Sequence, residues 1–294
     1  MLSVWLRAIR VKFLLASVIA VSLGLSLAWH SGHPIDILHA LLTFAGVISL
    51  HASVDLLNDY WDFKRGIDTK TKRTKMSGGT GVLPEGLLKP KSVYLVGIGF
   101  LILGAIIGIY FVTIFGITIG LILGFAILSV YFYSTKIVNW GLAEVFVTIK
   151  GALIIIGTYF IQTQNIDDFT ILAGIVVGIL SSLVLFVTSI PDHDVDKEKG
   201  RRTLIIIFGK SNAVRTFLIF PILTYGVIIF GVITGLFPVY SLIVLLAKPF
   251  LILAMWHLKD SEKSENMLIS SMTNTLYFSR IAGILFIVSF LIGF

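Results

Sequence analysis

The sequence predicts an all-α integral membrane protein that crosses the bilayer nine times. Of its 294 residues, 56% are hydrophobic and only 13% are charged, and the mean hydropathy is +0.98. This composition is too apolar for an ordinary soluble domain. Apolar stretches of membrane-crossing length also recur along the whole chain, and basic residues gather on one side of them. These three observations together define the fold class.

Each apolar stretch is about 17–25 residues long, which is the length that a helix needs to cross about 30 Å of hydrocarbon. The predicted spans are 13–29, 39–57, 93–112, 114–133, 143–162, 169–190, 214–234, 239–256 and 276–294. The break between the third and fourth spans is placed near Phe111–Phe115. The spans leave no room for an extramembrane domain, so residues 1–294 form a single membrane domain. Four spans separate its two acidic clusters, which suggests two similar halves, spans 1–4 and 5–8, plus a ninth helix.

The distribution of basic residues predicts the orientation in the membrane. With the amino terminus in the cytoplasm, 21 of the 23 Lys and Arg residues precede the first span or lie in inner loops, and the outer loops contain none. This asymmetry is typical of cytoplasmic loops. We therefore expect a multi-pass plasma-membrane protein with its active site near the cytoplasmic face. The net charge of +7 follows from topology, and no nucleic-acid partner is expected. No A-x-A cleavage pattern follows the first span, which is expected to remain attached.

A first acidic cluster closes the second span. It contains Asp55, Asn58, Asp59 and Asp62, and Asp68 follows a few residues later. If the helix continues through Asp62, the offsets of three, four and seven place the first four side chains along one face. Carboxylates that lie so close repel one another. The pattern therefore predicts a bound cation.

A second acidic cluster closes the sixth span. Asp192, Asp194 and Asp196 follow Pro191, which is expected to bend the helix, and Asp192 and Asp196 are four residues apart. Mg²⁺ prefers oxygen ligands and is commonly held by one or two carboxylates plus phosphate oxygens. Two clusters therefore predict two Mg²⁺ ions on a diphosphate, and the alternative is a solvated acidic loop. Basic residues that could neutralise the phosphate follow each cluster: Lys64, Arg65, Lys72 and Arg73, then Lys197, Lys199, Arg201 and Arg202.

Two features restrict the remaining chemistry. The chain has no cysteine, so a thiolate nucleophile and cysteine-ligated metals are excluded. Lys150 is a charge inside the fifth span, and such charges usually face the bundle interior or a cavity. We expect Lys150 to contact an acceptor or a phosphate. The alternatives are that it extends to the interface or pairs with an acidic residue.

The acidic motifs resemble those of the UbiA superfamily of intramembrane prenyltransferases, and the resemblance covers nearly the whole chain. The segments Asn58–Asp62 and Asp192–Asp196 are similar to the two family motifs. The segments Lys64–Asp68 and Ser77–Leu83 look most like the branch that prenylates 1,4-dihydroxy-2-naphthoate in menaquinone and vitamin K synthesis. Two positions depart from the family pattern, because many members have Asp where Gly66 stands and Glu where Asp194 stands.

The resemblance implies helices around a central cavity and transfer of an isoprenyl group from a prenyl diphosphate to an aromatic acceptor, best 1,4-dihydroxy-2-naphthoate. The implied metal ligands are Asn58, Asp62, Asp68, Asp192, Asp194 and Asp196. The implied catalytic residues are Asp59, Asp62, Asp192, Asp196 and Lys150. The implied diphosphate contacts are Arg10, Lys12, Arg65, Lys72, Arg73, Lys197 and Arg202, and Asp55 and Tyr133 are assigned to the acceptor or prenyl pocket.

Other functions compete with this one. Within the superfamily, the acceptor could instead be a lipid such as geranylgeranylglyceryl phosphate, a haem or 4-hydroxybenzoate. An ion-coupled transporter is an alternative of another class, but its acidic residues should lie near the midplane of the membrane, whereas these lie at inner helix ends. A CDP-alcohol phosphotransferase would carry a D-x-x-D-G-x-x-A-R motif, which the sequence lacks.

Overall fold

A computed structural model describes residues 1–71, 73–262 and 264–292, which form a bundle of α-helices. The α-helices are α1 (Leu2–Ala8), α2 (Val11–His30), α3 (Ile37–Lys64), α4 (Pro90–Phe115), α5 (Ile117–Phe132), α6 (Ala143–Thr163), α7 (Asp168–Thr188), α8 (His193–Glu198), α9 (Leu204–Phe208), α10 (Ala213–Ile233), α11 (Lys248–Lys259) and α12 (Glu265–Ile292). Short 3₁₀ segments cover Ile137–Trp140, Lys210–Asn212 and Val239–Ala247.

The prediction of a nine-span helical membrane protein is confirmed. Within the described ranges, eight helical segments are long and apolar enough to cross a membrane, and α5 is a shorter apolar helix between two of them. The break between α4 and α5 falls at Gly116, whose φ of 75° lies in a region that favours glycine. It therefore lies just beyond the predicted turn at Phe111–Phe115.

Two spans differ from the prediction. The eighth begins as a 3₁₀ segment and becomes α-helical at Lys248, with Pro249 in the first turn of α11, where its missing N–H is not needed. The last helix begins at Glu265, eleven residues before the predicted start. The first turns of this helix are polar, so the hydropathy of the sequence does not identify them as part of a membrane span. As a consequence Arg280, which lies near the start of the predicted span 276–294 and was counted with the basic residues of the inner side, lies well inside α12.

Close packing of small residues joins α6 to α7. A Cβ atom on Gly178 would lie 2.3 Å from the carbonyl oxygen of Thr148, and one on Gly151 would lie 2.9 Å from the Cα of Gly178. Small residues of this kind let membrane helices approach closely. Helix α2 packs against α6 and α12, and α12 also packs against α7. With α3, these helices surround a central cavity.

Helix α3 carries the first acidic cluster at its carboxyl-terminal end. Its first turn is capped by Asp36, whose side chain accepts a hydrogen bond of 2.9 Å from the backbone N–H of His39. The helix then continues for 28 residues without a break, about 42 Å at 1.5 Å per residue. That length exceeds the hydrocarbon core, so its last turns, which contain Asp62, reach the interface.

Candidate active site

The two acidic clusters line one cavity of about 250 Å³ at the end of the bundle where α3 and α7 terminate. The carboxylates in its lining are Asp55, Asp62, Asp68, Asp192 and Asp196, and the cations are Arg10, Lys150, Arg201 and Arg280. Side chains that are more than 130 residues apart in sequence therefore meet in one space. This is the arrangement that a bridging metal–diphosphate complex requires.

One face of α3 supplies the first cluster, but Asp59 is not part of it. Asp55, Asn58 and Asp62 line the cavity, as their spacing of three and four residues predicts. Asp59 is turned aside and buried, where it accepts a 2.6 Å hydrogen bond from the guanidinium of Arg10 and one from the hydroxyl of Thr80. The position of Asp59 thus indicates that it holds Arg10 in place.

Arg201 bridges the two clusters. One of its terminal nitrogens donates to Asp62, and the other lies 3.1 Å from Oδ1 of Asp196. The second oxygen of Asp62 accepts a 3.1 Å hydrogen bond from the amide of Asn58, whose own oxygen accepts one from the hydroxyl of Ser134. A guanidinium between two carboxylates offsets their repulsion. Asp62 and Asp196 therefore form one charged unit with a cation between them.

The second cluster lies on the short helix α8, beyond the end of α7. The backbone N–H of Asp196 donates to the carbonyl oxygen of Asp192 at 2.8 Å, so these two residues occupy one helical face. Asp194 lies on the other side of α8. Its side chain is 77% exposed and lies 2.7 Å from both Lys210 and His193. The structure therefore does not bring Asp194 to the predicted metal position.

The surroundings of the Asp192 and Asp68 carboxyl groups favour the binding of a cation. Oδ1 of Asp192 is buried without a hydrogen-bond partner among the described residues, while Oδ2 accepts a 3.3 Å bond from the backbone N–H of Gly78. Burial raises the pKa of Asp192 to about 7, and the charge of Asp196 adds to this effect. Burial also raises the pKa of Asp68 to about 8, with a further contribution from Asp62. A nearby divalent cation would favour the charged forms.

The arrangement fits a cation that is completed by substrate. Within the described parts of the chain, no group of three His, Cys, Asp or Glu side chains is placed to hold a metal ion. Mg²⁺ commonly takes only one or two carboxylates and completes its shell with phosphate oxygens and water. Asp62, Asp192 and Asp196, with the amide oxygen of Asn58, supply oxygen donors for such an ion.

Of the basic residues predicted to contact the diphosphate, Arg10 lines the cavity. Arg65 is not part of the cavity lining. It donates to the carbonyl oxygens of Ser134 and Lys199, at 2.7 and 3.0 Å. Arg73 is paired with Glu85. The exposed side chains of Lys12, Lys197 and Arg202 lie outside the cavity lining. Lys72 lies outside the described residues.

Arg201 lines the cavity, whereas Arg202, which was predicted to contact the diphosphate, does not. Residues 201–203 form an irregular segment between α8 and α9. Arg201 and Thr203 face the cavity, while the backbone N–H of Arg202 donates to the carbonyl oxygen of Val138 at 3.0 Å. Two adjacent arginines gave no means of choosing between them.

A glycine-rich loop covers the acidic clusters. Gly78 and Gly79 line the cavity, with φ angles of 79° and 70° that favour glycine. A Cβ atom on Gly79 would lie 2.7 Å from the carboxyl group of Asp68. The loop therefore lies on the carboxylates without a side chain between them, which is a placement that sequence alone did not predict.

The cavity continues into the membrane beyond the carboxylates. Tyr133, Phe13 and Phe146 contribute aromatic faces to its walls, and Lys150 and Arg280 contribute cations. Nδ1 of His51 lies 2.7 Å from the hydroxyl of Ser17, and Nε2 lies 3.8 Å from Oδ2 of Asp55. The sequence-predicted Asp55, Tyr133 and Lys150 are thus brought together with the acidic clusters in one chamber.

An apolar helical bundle that holds oxygen donors and cations at one end of an intramembrane chamber is an arrangement suited to a membrane enzyme. The family model described as the UbiA prenyltransferase family matches residues 17–292, which is nearly the whole chain. The protein belongs to the UbiA prenyltransferase family, and the resemblance seen in its motifs is confirmed. The family assignment supports an enzyme and gives no support to the transporter alternative.

Known relatives and a solved structure agree with this assignment. The chain is 28% identical over 285 residues to the 1,4-dihydroxy-2-naphthoate octaprenyltransferase of Bacillus subtilis, covering 96% of this chain and 90% of the relative. It is 27% identical over 263 residues to the Escherichia coli protein of the same name, covering 84% and 82%. It also shares its fold with a UbiA homologue from Archaeoglobus fulgidus bound to GPP and Mg²⁺, with a TM-score of 0.64, 16% identity and 98% coverage of both chains.

Proposed function

We propose that this enzyme transfers an isoprenyl group from a prenyl diphosphate to 1,4-dihydroxy-2-naphthoate, with Mg²⁺ assisting departure of the diphosphate. The observation that carries the proposal is the contact of Asp62 and Asp196 with one guanidinium across a shared cavity. The acceptor is proposed from the relatives in Bacillus subtilis and Escherichia coli, whose alignments extend over most of both chains.

Asn58, Asp62, Asp192 and Asp196 would hold the metal, with Asp68 beside them. When bound, Mg²⁺ withdraws charge from the diphosphate oxygens and so makes pyrophosphate a better leaving group. Arg10 and Arg201 line the same cavity and would neutralise the remaining charge. Because Arg201 already contacts Asp62 and Asp196, it lies where a phosphate completing the site would reach it. Arginine suits this role because its planar fork matches phosphate oxygens.

The reaction then proceeds within a chamber that excludes much of the bulk water. The allylic C–O bond breaks with its electron pair on the departing pyrophosphate, and a ring carbon of the electron-rich acceptor forms the new C–C bond. The ring then becomes aromatic again when that carbon loses its proton, which the pyrophosphate can accept. The rings of Tyr133, Phe13 and Phe146 can stabilise the allylic cation through their faces. Asp55 lies deeper on the same face of α3 and would orient an acceptor hydroxyl group. The water-poor walls protect the cation from hydrolysis.

A product assay tests the proposal. Detergent-solubilised protein with Mg²⁺ is incubated with labelled geranyl, geranylgeranyl or longer prenyl diphosphates and, separately, 1,4-dihydroxy-2-naphthoate, 4-hydroxybenzoate or geranylgeranylglyceryl phosphate. We expect a prenylated naphthalene product by mass spectrometry and its loss on chelation of Mg²⁺. A product formed with another acceptor alone would overturn the acceptor, and activity that survives chelation would overturn the metal.

We also propose two Mg²⁺ ions, one beside each acidic cluster. Calorimetric titration of Mg²⁺ into the protein with a non-cleavable prenyl diphosphate analogue should give a stoichiometry of two. Asp192→Asn should reduce that number to one if each cluster holds its own ion. A wild-type stoichiometry of one would contradict the proposal.

The orientation is proposed from the asymmetry of the basic residues. We infer that the amino terminus and the acidic clusters face the cytoplasm of a plasma-membrane protein. Because the chain has no cysteine, single-cysteine labelling is free of background. A membrane-impermeant maleimide applied to intact cells should label the exposed position of Asn165→Cys and spare that of Glu262→Cys. The reverse pattern would invert the topology.

A further inference from the structure

Arg280 is an intramembrane arginine for which the acidic clusters give no explanation. It lies in the middle of the 28-residue helix α12, its side chain is 8% exposed, and it lines the central cavity. Its Nε is buried without a hydrogen-bond partner, and no ion pair joins it to any residue in the described ranges. Charges inside membrane proteins usually pair with one another or mark substrate sites.

Lys150 lies in the same part of the cavity and has a similar environment. It belongs to α6, lines the cavity beside Ile154, and has no hydrogen bond or salt bridge to the described part of the chain. His51 lies within electrostatic reach of Lys150, Arg280 and Arg10. The imidazole of His51 thus shares this part of the cavity with Lys150 and Arg280.

The charge at this deep end does not balance. Arg10 is paired with Asp59, and Asp55 supplies a negative charge within electrostatic reach of Lys150. One further positive charge, that of Arg280, has no compensating carboxylate among the described residues. An uncompensated charge in a low-dielectric interior is costly. An anion bound from outside the chain would complete the balance.

The anion that would balance Arg280 would lie at a different place in the cavity from the diphosphate. His51 precedes Asp62 by eleven residues on the continuous helix α3, which corresponds to about 16 Å along the helix axis. A diphosphate that contacts Asp62 and Arg201 therefore lies well away from Lys150 and Arg280, while Arg10 lies between the two places. That distance would leave the deep end for the second substrate.

We propose that Arg280, assisted by Lys150, binds the acid group of the acceptor and so selects acidic acceptors. A guanidinium can bind either a carboxylate or a phosphate through two parallel hydrogen bonds. The acid group is the carboxylate if the acceptor is a naphthoate, and the phosphate if it is a lipid phosphate. The proposal rests on the prenyltransferase activity proposed above, and it adds the residue that recognises the acceptor.

The test compares acceptors with and without the acid group. Wild type and Arg280→Gln are assayed with 1,4-dihydroxy-2-naphthoate and with naphthalene-1,4-diol, which differs only by lacking the carboxylate. We expect the variant to raise KM for the acidic acceptor about 10- to 100-fold, the range for loss of a charged hydrogen bond. The KM for the prenyl diphosphate and the turnover of the diol should change little. Preference for the acidic acceptor should therefore disappear.

Matched variants separate recognition from folding. Arg280→Lys keeps the charge and should recover part of the preference, whereas Lys150→Met should lower it further. Arg215→Gln is the control, because it removes an exposed arginine of α10 that does not line the cavity. If Arg280→Gln does not fold, the comparison of Arg280→Lys with wild type on the two acceptors replaces it.

The outcomes distinguish this inference from the proposed function. An unchanged preference in Arg280→Gln, or an equal loss with both acceptors and with the prenyl diphosphate, would overturn the role of Arg280. If wild type uses geranylgeranylglyceryl phosphate and not the naphthoate, the acceptor proposal fails, and a raised KM for the phosphate in Arg280→Gln still supports the acid site. If no acceptor reacts, calorimetric binding of the naphthoate decides, and equal affinity of wild type and Arg280→Gln overturns it.

Discussion

The two acidic clusters perform similar chemistry on different supports. Asp62 lies in the last turns of an unbroken helix that crosses the whole bundle. In contrast, the second cluster lies beyond the end of α7 at the six-residue helix α8, with Asp192 just before this helix and Asp196 within it. Both oxygens of Asp62 have hydrogen-bond donors, while one oxygen of Asp192 is buried with none among the described residues.

The difference shows two ways of placing a carboxylate at the membrane interface. The first cluster is positioned by the backbone, because α3 is a continuous helix through Asp62. The second cluster is positioned by contacts, since Gly78 bonds Asp192 and Lys210 bonds Asp194. Substitutions at the first cluster should therefore affect chemistry directly, and those around the second should act through geometry.

The largest expected effect follows from removing the charge of Asp62. Asp62→Asn keeps the shape of the side chain but loses the charge that faces Arg201 and the proposed metal. We expect kcat/KM to fall about 1000-fold, the upper range for loss of one electrostatic stabiliser, in an assay of pyrophosphate release. Asp194→Asn is the control on the second cluster, and its activity should stay near that of wild type because its side chain is exposed outside the cavity. Equal losses in both variants would contradict the distinction.

The next effect tests the cation that joins the clusters. Arg201→Gln removes the bridge between Asp62 and Asp196, and we expect kcat/KM to fall about 100-fold because one phosphate-neutralising group is lost. The same change leaves the two carboxylates unscreened, so added Mg²⁺ should raise the melting temperature more in the variant than in wild type. Differential scanning fluorimetry with and without Mg²⁺ measures this shift. A smaller shift in the variant would show that Arg201 does not occupy the cation position.

A smaller effect tests the loop that holds the second cluster. Gly79→Ala places a Cβ atom against the carboxyl group of Asp68 at a positive φ, and we expect the KM for the prenyl diphosphate to rise about 10-fold as the loop shifts. Gly86→Ala is the matched control, because its φ of 69° is as unfavourable but a Cβ atom there meets nothing within 4 Å. The backbone strain is thus the same in both, and only Gly79→Ala should change KM.

Sequence reasoning predicted much of the fold because membrane helices are encoded locally. Apolar length predicted nine crossings, and spacing predicted which oxygens of α3 share a face. The start of α12 at Glu265 was missed, since hydropathy does not detect a helix whose polar turns lie outside the hydrocarbon. The depth of Arg280 was lost with it. Arg280, near the start of the predicted span 276–294, was therefore counted with the basic residues of the inner side.

The details of the site depended on contacts between distant segments. Neither the choice of Arg201 over Arg202 nor the burial of Asp59 against Arg10 and Thr80 has a local signal. The exposure of Asp194 followed from the direction of α8, and the seating of Gly79 on Asp68 followed from the path of a loop. Spacing predicts which side chains share a helix face, but the packing of helices decides which face meets the cavity.

The smallest expected effect concerns an ion pair between the supports of the two clusters. Nζ of Lys70, which follows the first cluster, lies 2.7 Å from Glu198 at the end of α8, and the two side chains are 52% and 58% exposed. Exposed pairs of this kind contribute little to stability, so Lys70→Gln should change kcat/KM less than about twofold and the melting temperature little. If the contacts that position α8 act together, combining Lys70→Gln with Gly79→Ala should raise KM by more than the product of the separate effects. Multiplicative effects would instead show that the loop alone positions the second cluster.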